Sequence, residues 1–304
     1  MAISRAQLVK ALEPGLNALF GLEYKRYDNQ HAEIYVTESS DRAFEEEVML
    51  SGFANADVKS EGQGVAYDEA QEPYTARYTN ETIALAFAIT EEAIEDNLYD
   101  RIASRYTKAL ARSMSNAKEV KGAAPLINGL PQTATFKSGD GVGLFSTQHT
   151  TVSGKYVSNT LTTQADLNET SLEQALIDIA AMTDERGLRI AARGVKMIVP
   201  SANQFNAERL MKSQGRVGTA DNDINAVKSM GMIPQGYRVN NFLTDSDSWY
   251  IITEVPNGMK MFQRTPLTTA MEGDFDTGNV RYKARERYVF GVSDPRGIFG
   301  VEGA

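Results

Sequence analysis

Four groups of residues have types and spacings that could do chemistry. Gly139, Gly141 and Gly143 suggest a loop that cradles phosphate, but Leu144 stands where a third spaced glycine is needed and no Gly-Lys-Ser/Thr follows. Asp221, Asp223 and Asn225 begin like a calcium loop, yet Ala226 replaces the turn glycine and Met232 the closing glutamate. The two histidines are His31 and His149. His149 lies in a polar stretch with no second histidine near it, so it reads as a surface imidazole rather than a ligand or base. Glu91 and Glu92 are paired acids, but they follow Thr90 and are explained by helix capping better than by glycoside chemistry. No nucleophile-elbow pattern supports a Ser-His-Asp site. The absence of cysteine excludes disulfides, thiolate metal sites and cysteine nucleophiles. These residues give no case for an enzyme, a cofactor or a metal.

The elements around them are more informative. The 304 residues are 42% hydrophobic, enough for one elaborate domain or two modest ones. No apolar run reaches the ~20 residues of a membrane helix, and Met1-Ala2-Ile3-Ser4-Arg5 lacks the apolar core of a signal peptide. The net charge is −9, from 31 basic and 40 acidic residues. Such a chain is poorly suited to sequence-specific DNA binding but could line a container for DNA without adhering to it.

A compact chain of this length would be roughly 50 Å across, and two neighbouring segments rival that span. Tyr74 to Ile89 alternates at the strand period and, if extended, reaches roughly 53 Å. Its large apolar residues change side at Asn80, from Tyr74 and Tyr78 to Ile83, Leu85, Phe87 and Ile89 opposite Ala84, Ala86 and Ala88. One buried face would not switch in this way. The second half reads as core. The first half reads as the limb of a long hairpin whose tip, Ala54 to Gln71, carries Gly62 and Gly64, with Glu61, Asp68, Glu69 and nearby Glu72.

The second long segment is a helix opening at Thr90. Ile94, Leu98, Ile102, Tyr106, Leu110 and Met114 recur along one face, and Arg101, Arg105, Lys108, Arg112 and Lys118 follow a run of acids. Gly122 and Pro125 are its expected stop, giving roughly 45 Å of helix. Ahead of both, Ser4 to Gln7 form a capping box with Ile3 stapled on Leu8, and Pro14-Gly15 interrupts a short helix that reads as a docking arm.

Phe136 to Thr170 is rich in Gly, Ser, Thr and Asn and reads as loop or ribbon. Beyond it come a helix over Ser171–Gly187, a strand over Val195–Val199 and a helix opened by Ser201 and Gln204. A short helix at Ile224–Met230 follows, then strands near Tyr237–Phe242, Trp249–Thr253 and Lys260–Arg264. This alternation implies an inserted α/β subdomain. Finally Val280 to Val292 places Val280, Tyr282, Ala284, Tyr288 and Phe290 on one face, and Arg281, Lys283, Arg285 and Arg287 on the other. There is no internal repeat.

Several runs together resemble a known family. They are Val58-Lys59-Ser60-Glu61-Gly62 on to Tyr67-Asp68, Ala76-Arg77-Tyr78-Thr79, and Thr90 through Tyr99. Leu144-Phe145-Ser146-Thr147 with His149, Asp184-Glu185-Arg186-Gly187-Leu188, Ile198-Val199-Pro200, Phe205 through Arg209 and Gly218 through Ala226 continue the series. In collinear order these are similar to major capsid proteins of tailed phages, most of all to Mu-like major head subunits; the span Thr150–Thr163 departs from the pattern.

The resemblance implies an α+β Hong Kong 97-type fold. Its parts would be an N-terminal arm (1–50), an extended loop (51–82), a peripheral domain (83–125 and 255–304, spine helix about 90–121) and an axial domain (126–254). It further implies a virion protein, made and assembled in the host bacterial cytoplasm, that builds an icosahedral shell of hexamers and pentamers around double-stranded DNA. The arm begins near Ile3, so a separate scaffolding protein is expected, with a portal protein and optionally a decoration protein as further partners and no membrane. Some relatives cross-link through a lysine and an asparagine. Lys59 is the only lysine between Ser51 and Asn80, and no asparagine partner can be matched to it, so no cross-link is expected.

The expected assembly contact is electrostatic. The acidic hairpin (Glu61, Asp68, Glu69, Glu72, with Lys59), aided by burial of Tyr74 and Tyr78, lies on a neighbour's basic surface. That surface is either Arg101, Arg105, Lys108 and Arg112 or the strand Arg281, Lys283, Arg285 and Arg287. The rival readings are a cellular nanocompartment shell of the same fold and, from another class, a soluble hydrolase.

Overall fold

The computed structural model describes residues 5–90, 92, 99–216, 223–274 and 278–304. In chain order the elements are α1 (Arg5–Tyr24), β1 (Val36–Ser39), β2 (Phe44–Val48), β3 (Thr75–Thr79), β4 (Glu81–Ile89) and α2 (Tyr99–Asn128). There follow β5 (His149–Thr150), β6 (Tyr156–Val157), α3 (Glu169–Ala181), β7 (Gly194–Pro200), α4 (Gln204–Lys212), α5 (Ala226–Ser229), β8 (Tyr237–Asn240) and β9 (Trp249–Thr253). The chain closes with β10 (Met259–Gly273), β11 (Val280–Val292) and β12 (Ile298–Val301). The class is mixed α+β, as expected.

Two four-stranded sheets organise the chain, one in the order β1-β10-β11-β4 and the other β12-β9-β7-β8. β11 is the spine of the first. Its even-numbered residues are buried throughout, and Tyr282 and Ala284 pack with Leu110, Ala111 and Met114 of α2 and Leu16 and Phe20 of α1. Farther along, Tyr288 and Phe290 join Ala123, Leu126 and Leu130, and through Tyr250 and Ile298 this core reaches the second sheet. A third cluster, with Leu172, Leu176, Ile179, Met197, Trp249 and Phe299, fills the space between that sheet and its helices.

Four expectations are corrected. Tyr74–Ile89 is not one strand: it breaks at Asn80, β3 pairing with β2 and β4 with β11. The longest strand is β10, expected only over Lys260–Arg264; its 15 residues span roughly 50 Å. The helix α2 does not stop at Gly122 and Pro125. It continues to Asn128 because Ala123 and Leu126 are fully buried, and that burial offsets the cost of carrying Gly122 and Pro125 inside the helix. Likewise α1 runs through Pro14, and Leu16 and Phe20 are buried against its own subunit rather than held out as a free arm. The first turn of the helix expected after Thr90, with Ile94 and Leu98, the Ser4–Gln7 cap, the Ile3–Leu8 staple and most of Gly218–Ala226 lie outside the described residues.

Two smaller differences have local causes. The helix expected over Ser171–Gly187 begins earlier, where Asn168 and Ser171 cap each other, and ends at Ala181. Gly187 instead serves a tight turn in the left-handed region, φ +86°. Ser201 opens a 3-10 turn, and α4 begins at Gln204 without a side-chain cap.

Candidate assembly interface

The odd-numbered face of β11, turned away from α2, has two halves. At the Val292 end it is covered by the chain's own β2–β3 ribbon. Tyr78 lies against Gly291, meets Phe262 edge-on with ring centroids 4.8 Å apart, and shares a hydrogen bond with Ser293. Lys260 anchors the same corner, 3.0 Å from Glu38 and also paired with Glu47.

At the Val280 end no described residue covers it. There Arg281, Lys283 and Arg285 are exposed, flanked by Ala88, Ala86 and Ala84 on β4 and by Glu272, Ala270 and Thr268 on β10. Small flanking residues leave a shallow groove with basic side chains along its middle. Arg281 is paired with Asp274, so Lys283 and Arg285 are the cations of this groove without an acidic partner among the described residues. Arg287, at the boundary, is half-buried, and its Nε has no partner. β4 is also an edge strand, and Thr82 to Ile89 carry no charge or proline to protect that edge.

The loop between β2 and β3 leaves from the covered half. Its base is tied by Met49 N–H to Tyr74 O and Ser51 N–H to Gln71 O, and it turns at Ser60–Gln63 with Gly62 at φ +79°. Every residue from 52 to 72 is exposed. Val58 is 97% and Tyr67 98% exposed, and Phe53 and Val65 on the same loop are exposed as well.

The acids expected here have different situations. Glu61, Glu69 and Glu72 are exposed and form no ion pair with any described residue, and Lys59 is exposed beside them. Asp68 is engaged within its own subunit. It accepts the Ala54 N–H at 2.7 Å and lies 3.7 Å from Arg186, and the Ala54 bond foremost holds its carboxyl below the ordinary value. Arg186 also donates to the Glu69 carbonyl, which fixes where the loop leaves the body.

The two tyrosines are a correction. Tyr78 is 2% exposed, and Tyr74 is half-buried over Gly139 with its hydroxyl donating to Ser293 O at 3.3 Å. Tyr78 is therefore spent inside its own subunit, and Tyr74 has only part of its surface left for a neighbour. The apolar side chains available for burial on one are Val58, Val65 and Tyr67, together with Phe53. The run of residues 53–67 reads as polar loop because its hydrophobes are isolated and follow no period.

On the opposite face of the sheet, α2 turns Arg105, Lys108 and Arg112 to solvent. Arg101 is on the same helix, and its side chain lies outside the described residues. The structure therefore does not bring the two basic sets together: β11 separates them.

The remaining chemistry is structural. His149 is buried, not a surface imidazole. Its Nδ1 is 2.6 Å from Asp140 and its Nε2 faces Leu144 O at 3.2 Å and Asn159 Oδ1 at 3.1 Å, so both ring nitrogens are occupied. His31 is also buried, with Nδ1 2.6 Å from Glu119. Arg296, Asp294 and Glu185 form a buried cluster beneath the loop's base. Among the described residues there is no acid, histidine and cysteine grouping fit for a metal, and no helix long and apolar enough to cross a membrane.

The subunit is also short of burial. Its accessible surface is 17079 Å², against about 12,600 Å² for a compact monomer of 33.4 kDa. The excess, roughly 4,500 Å², matches an element held out in solvent and a sheet left half bare.

Comparison with known proteins agrees with this geometry. The chain is similar to the capsid of Myoviridae phage XM1, with 11% identity, TM-score 0.52 and 89% of each chain covered. It is similar to a structure from Microbacterium phage Oxtober96, with 10% identity, TM-score 0.51 and coverage of 91% of this chain and 92% of that one. A third likeness is to the procapsid of bacteriophage JBD30, with 14% identity, TM-score 0.50 and coverage of 98% and 75%. At these identities the likeness establishes the fold, the Hong Kong 97 type. No curated protein sequence matches the chain. A family model described as phage capsid protein matches residues 73–301. The chain belongs to the phage capsid protein family, and it is a shell subunit of the bacteriophage head.

Proposed function

We propose that the subunit closes its shell by laying the loop of residues 52–72 across the bare half of a neighbour's β11 face. The observation that carries this is the divided face: one half is covered by the chain's own ribbon, while the other offers Lys283 and Arg285 between small residues. The loop continues that same ribbon and presents Glu61, Glu69 and Glu72 with exposed Val58, Val65 and Tyr67. Single exposed ion pairs contribute only ~0–1 kcal/mol, so repetition around the shell and apolar burial at about 25 cal/mol per Å² supply most of the energy. Of the two basic surfaces expected from sequence, this selects β11 over α2.

The parts of the subunit follow the family resemblance: arm 1–50, extended loop 51–82, peripheral domain 83–125 with 255–304, and axial domain 126–254, within the Mu-like branch. The protein works structurally and not as an enzyme. It assembles in the host bacterial cytoplasm into hexamers and pentamers around double-stranded DNA, with a separate scaffolding protein, a portal and, where present, a decoration protein as partners.

Charge reversal tests the contact. Glu69→Lys with Glu72→Lys prevents shell formation while leaving the subunit folded, as does Lys283→Glu with Arg285→Glu, and combining the two sets restores shells. Normal shells from either reversed pair, seen by electron microscopy, contradict the proposal.

A further inference from the structure

We infer that the solvent ridge of α2, formed by Arg105, Lys108 and Arg112, is the face of the subunit that meets the phosphates of the enclosed duplex. The inference rests on the loop assignment above.

At 100° per residue these three side chains fall within an arc of about 60° and span about 10 Å of helix. That arc lies opposite the stripe of Ala103, Leu110 and Met114 buried against the sheet. All three are exposed, and none has an ion pair or hydrogen bond to any described residue. In a chain of net charge −9 an unpaired basic ridge on a rigid helix needs an anionic partner or serves only solubility.

The architecture limits which partner it can be. The acidic loop springs from the β2–β3 ribbon, on the odd face of β11, whereas α2 packs on the even face, with Tyr282 and Ala284. In a shell one subunit thick, symmetry-related neighbours present the same face to the same side. A neighbour's loop therefore meets Lys283 and Arg285, and the α2 ridge is left on the other side of the wall.

A ridge of three cations suits weak, sequence-independent contact. Duplex DNA carries one charge per ~1.7 Å of axis, so three cations along the ridge meet about three phosphates, and binding falls with salt at a log–log slope of about −2.7. Contact of this strength can order the outermost DNA layer and still let it slide during filling.

The test uses the purified full-length subunit before assembly and a duplex of about 30 base pairs, with affinity measured across a salt series. Wild type gives the slope of about −2.7, and Arg105→Gln/Lys108→Gln/Arg112→Gln flattens it to near zero. Arg281→Gln/Lys283→Gln/Arg285→Gln, which removes the same charge from the other face, leaves it unchanged. Melting curves confirm that each variant is folded, and the ridge variant still forms shells. An unchanged slope in the ridge variant overturns the inference, and so does equal flattening by both variants, which would reduce the effect to net charge. A folded ridge variant that cannot form shells also overturns it, because the ridge would then be taken by another copy of the chain. Normal shells from the Glu69/Glu72 reversal would count against the loop contact without altering these slopes.

Discussion

Glu286 stands on the buried face of β11 with none of its surface exposed and meets Lys118 of α2 at 3.3 Å. A charge on an otherwise apolar face is costly unless paired, and this pair joins the long helix to the sheet at one register. Burial pushes the Glu286 carboxyl above its ordinary value, and Lys118 only partly offsets that. The native state therefore holds a proton there more readily than the unfolded chain. Its contribution is largest below the ordinary glutamate value of 4.5 and is lost as pH rises through the folded value.

Glu286→Gln leaves Lys118 buried without a counter-charge and destabilises the subunit by about 3 kcal/mol. Lys118→Met together with Glu286→Leu is neutral or stabilising, because two apolar groups need no compensation. Denaturant unfolding of the three proteins checks the pair.

Asp140 behaves in the opposite sense. Burial alone would raise its carboxyl, but His149, Ser138 and the Val142 N–H outweigh it and hold the group below the usual 3.8. Its contribution is present above that value and lost as pH falls through the folded one. Asp140→Asn costs about 1–3 kcal/mol at neutral pH and flattens the acid side of the stability curve, which melting between acid and neutral pH would show.

Gly291 is the floor on which Tyr78 rests: a Cβ there would lie 2.4 Å from the ring. Gly291→Ala lifts the ribbon from the sheet and costs about 1–3 kcal/mol. Tyr78→Phe keeps the packing, loses the Ser293 bond and costs about 1 kcal/mol. A larger loss for the tyrosine change, measured by thermal melting, would contradict this packing.

Lys59 lies inside the fully exposed run 52–72. A lysine-specific protease cleaves there rapidly in the free subunit and slowly, at least tenfold by rough expectation, once shells have formed. Equal rates before and after assembly would mean that no neighbour covers the loop.

Much of this was legible in the sequence because it depends on local pattern. The alternation of Val280–Val292 and the change of side at Asn80 both appear in the structure. What was hidden depends on partners distant in sequence. β10 carries Pro266 and register shifts between Gln263 and Thr268, which break its period, and only pairing with β11 makes it one strand. Tyr74 and Tyr78 read from sequence as residues for a neighbour because nothing local announces Gly139 and Gly291 as the surfaces that receive them. His149 looked exposed in a polar loop, yet that loop closes around the ring through Asp140 and Asn159. Of the candidate interface, the charged residues were readable. Their division between two faces of one sheet was not, since it is a property of packing.

The most direct measurement is an electron cryomicroscopy map of assembled shells at side-chain resolution. The account predicts density for residues 52–72 crossing to a neighbouring subunit, with Glu69 and Glu72 beside that neighbour's Lys283 and Arg285. Density showing the loop folded over its own subunit, with the Lys283–Arg285 groove open to solvent, would contradict it.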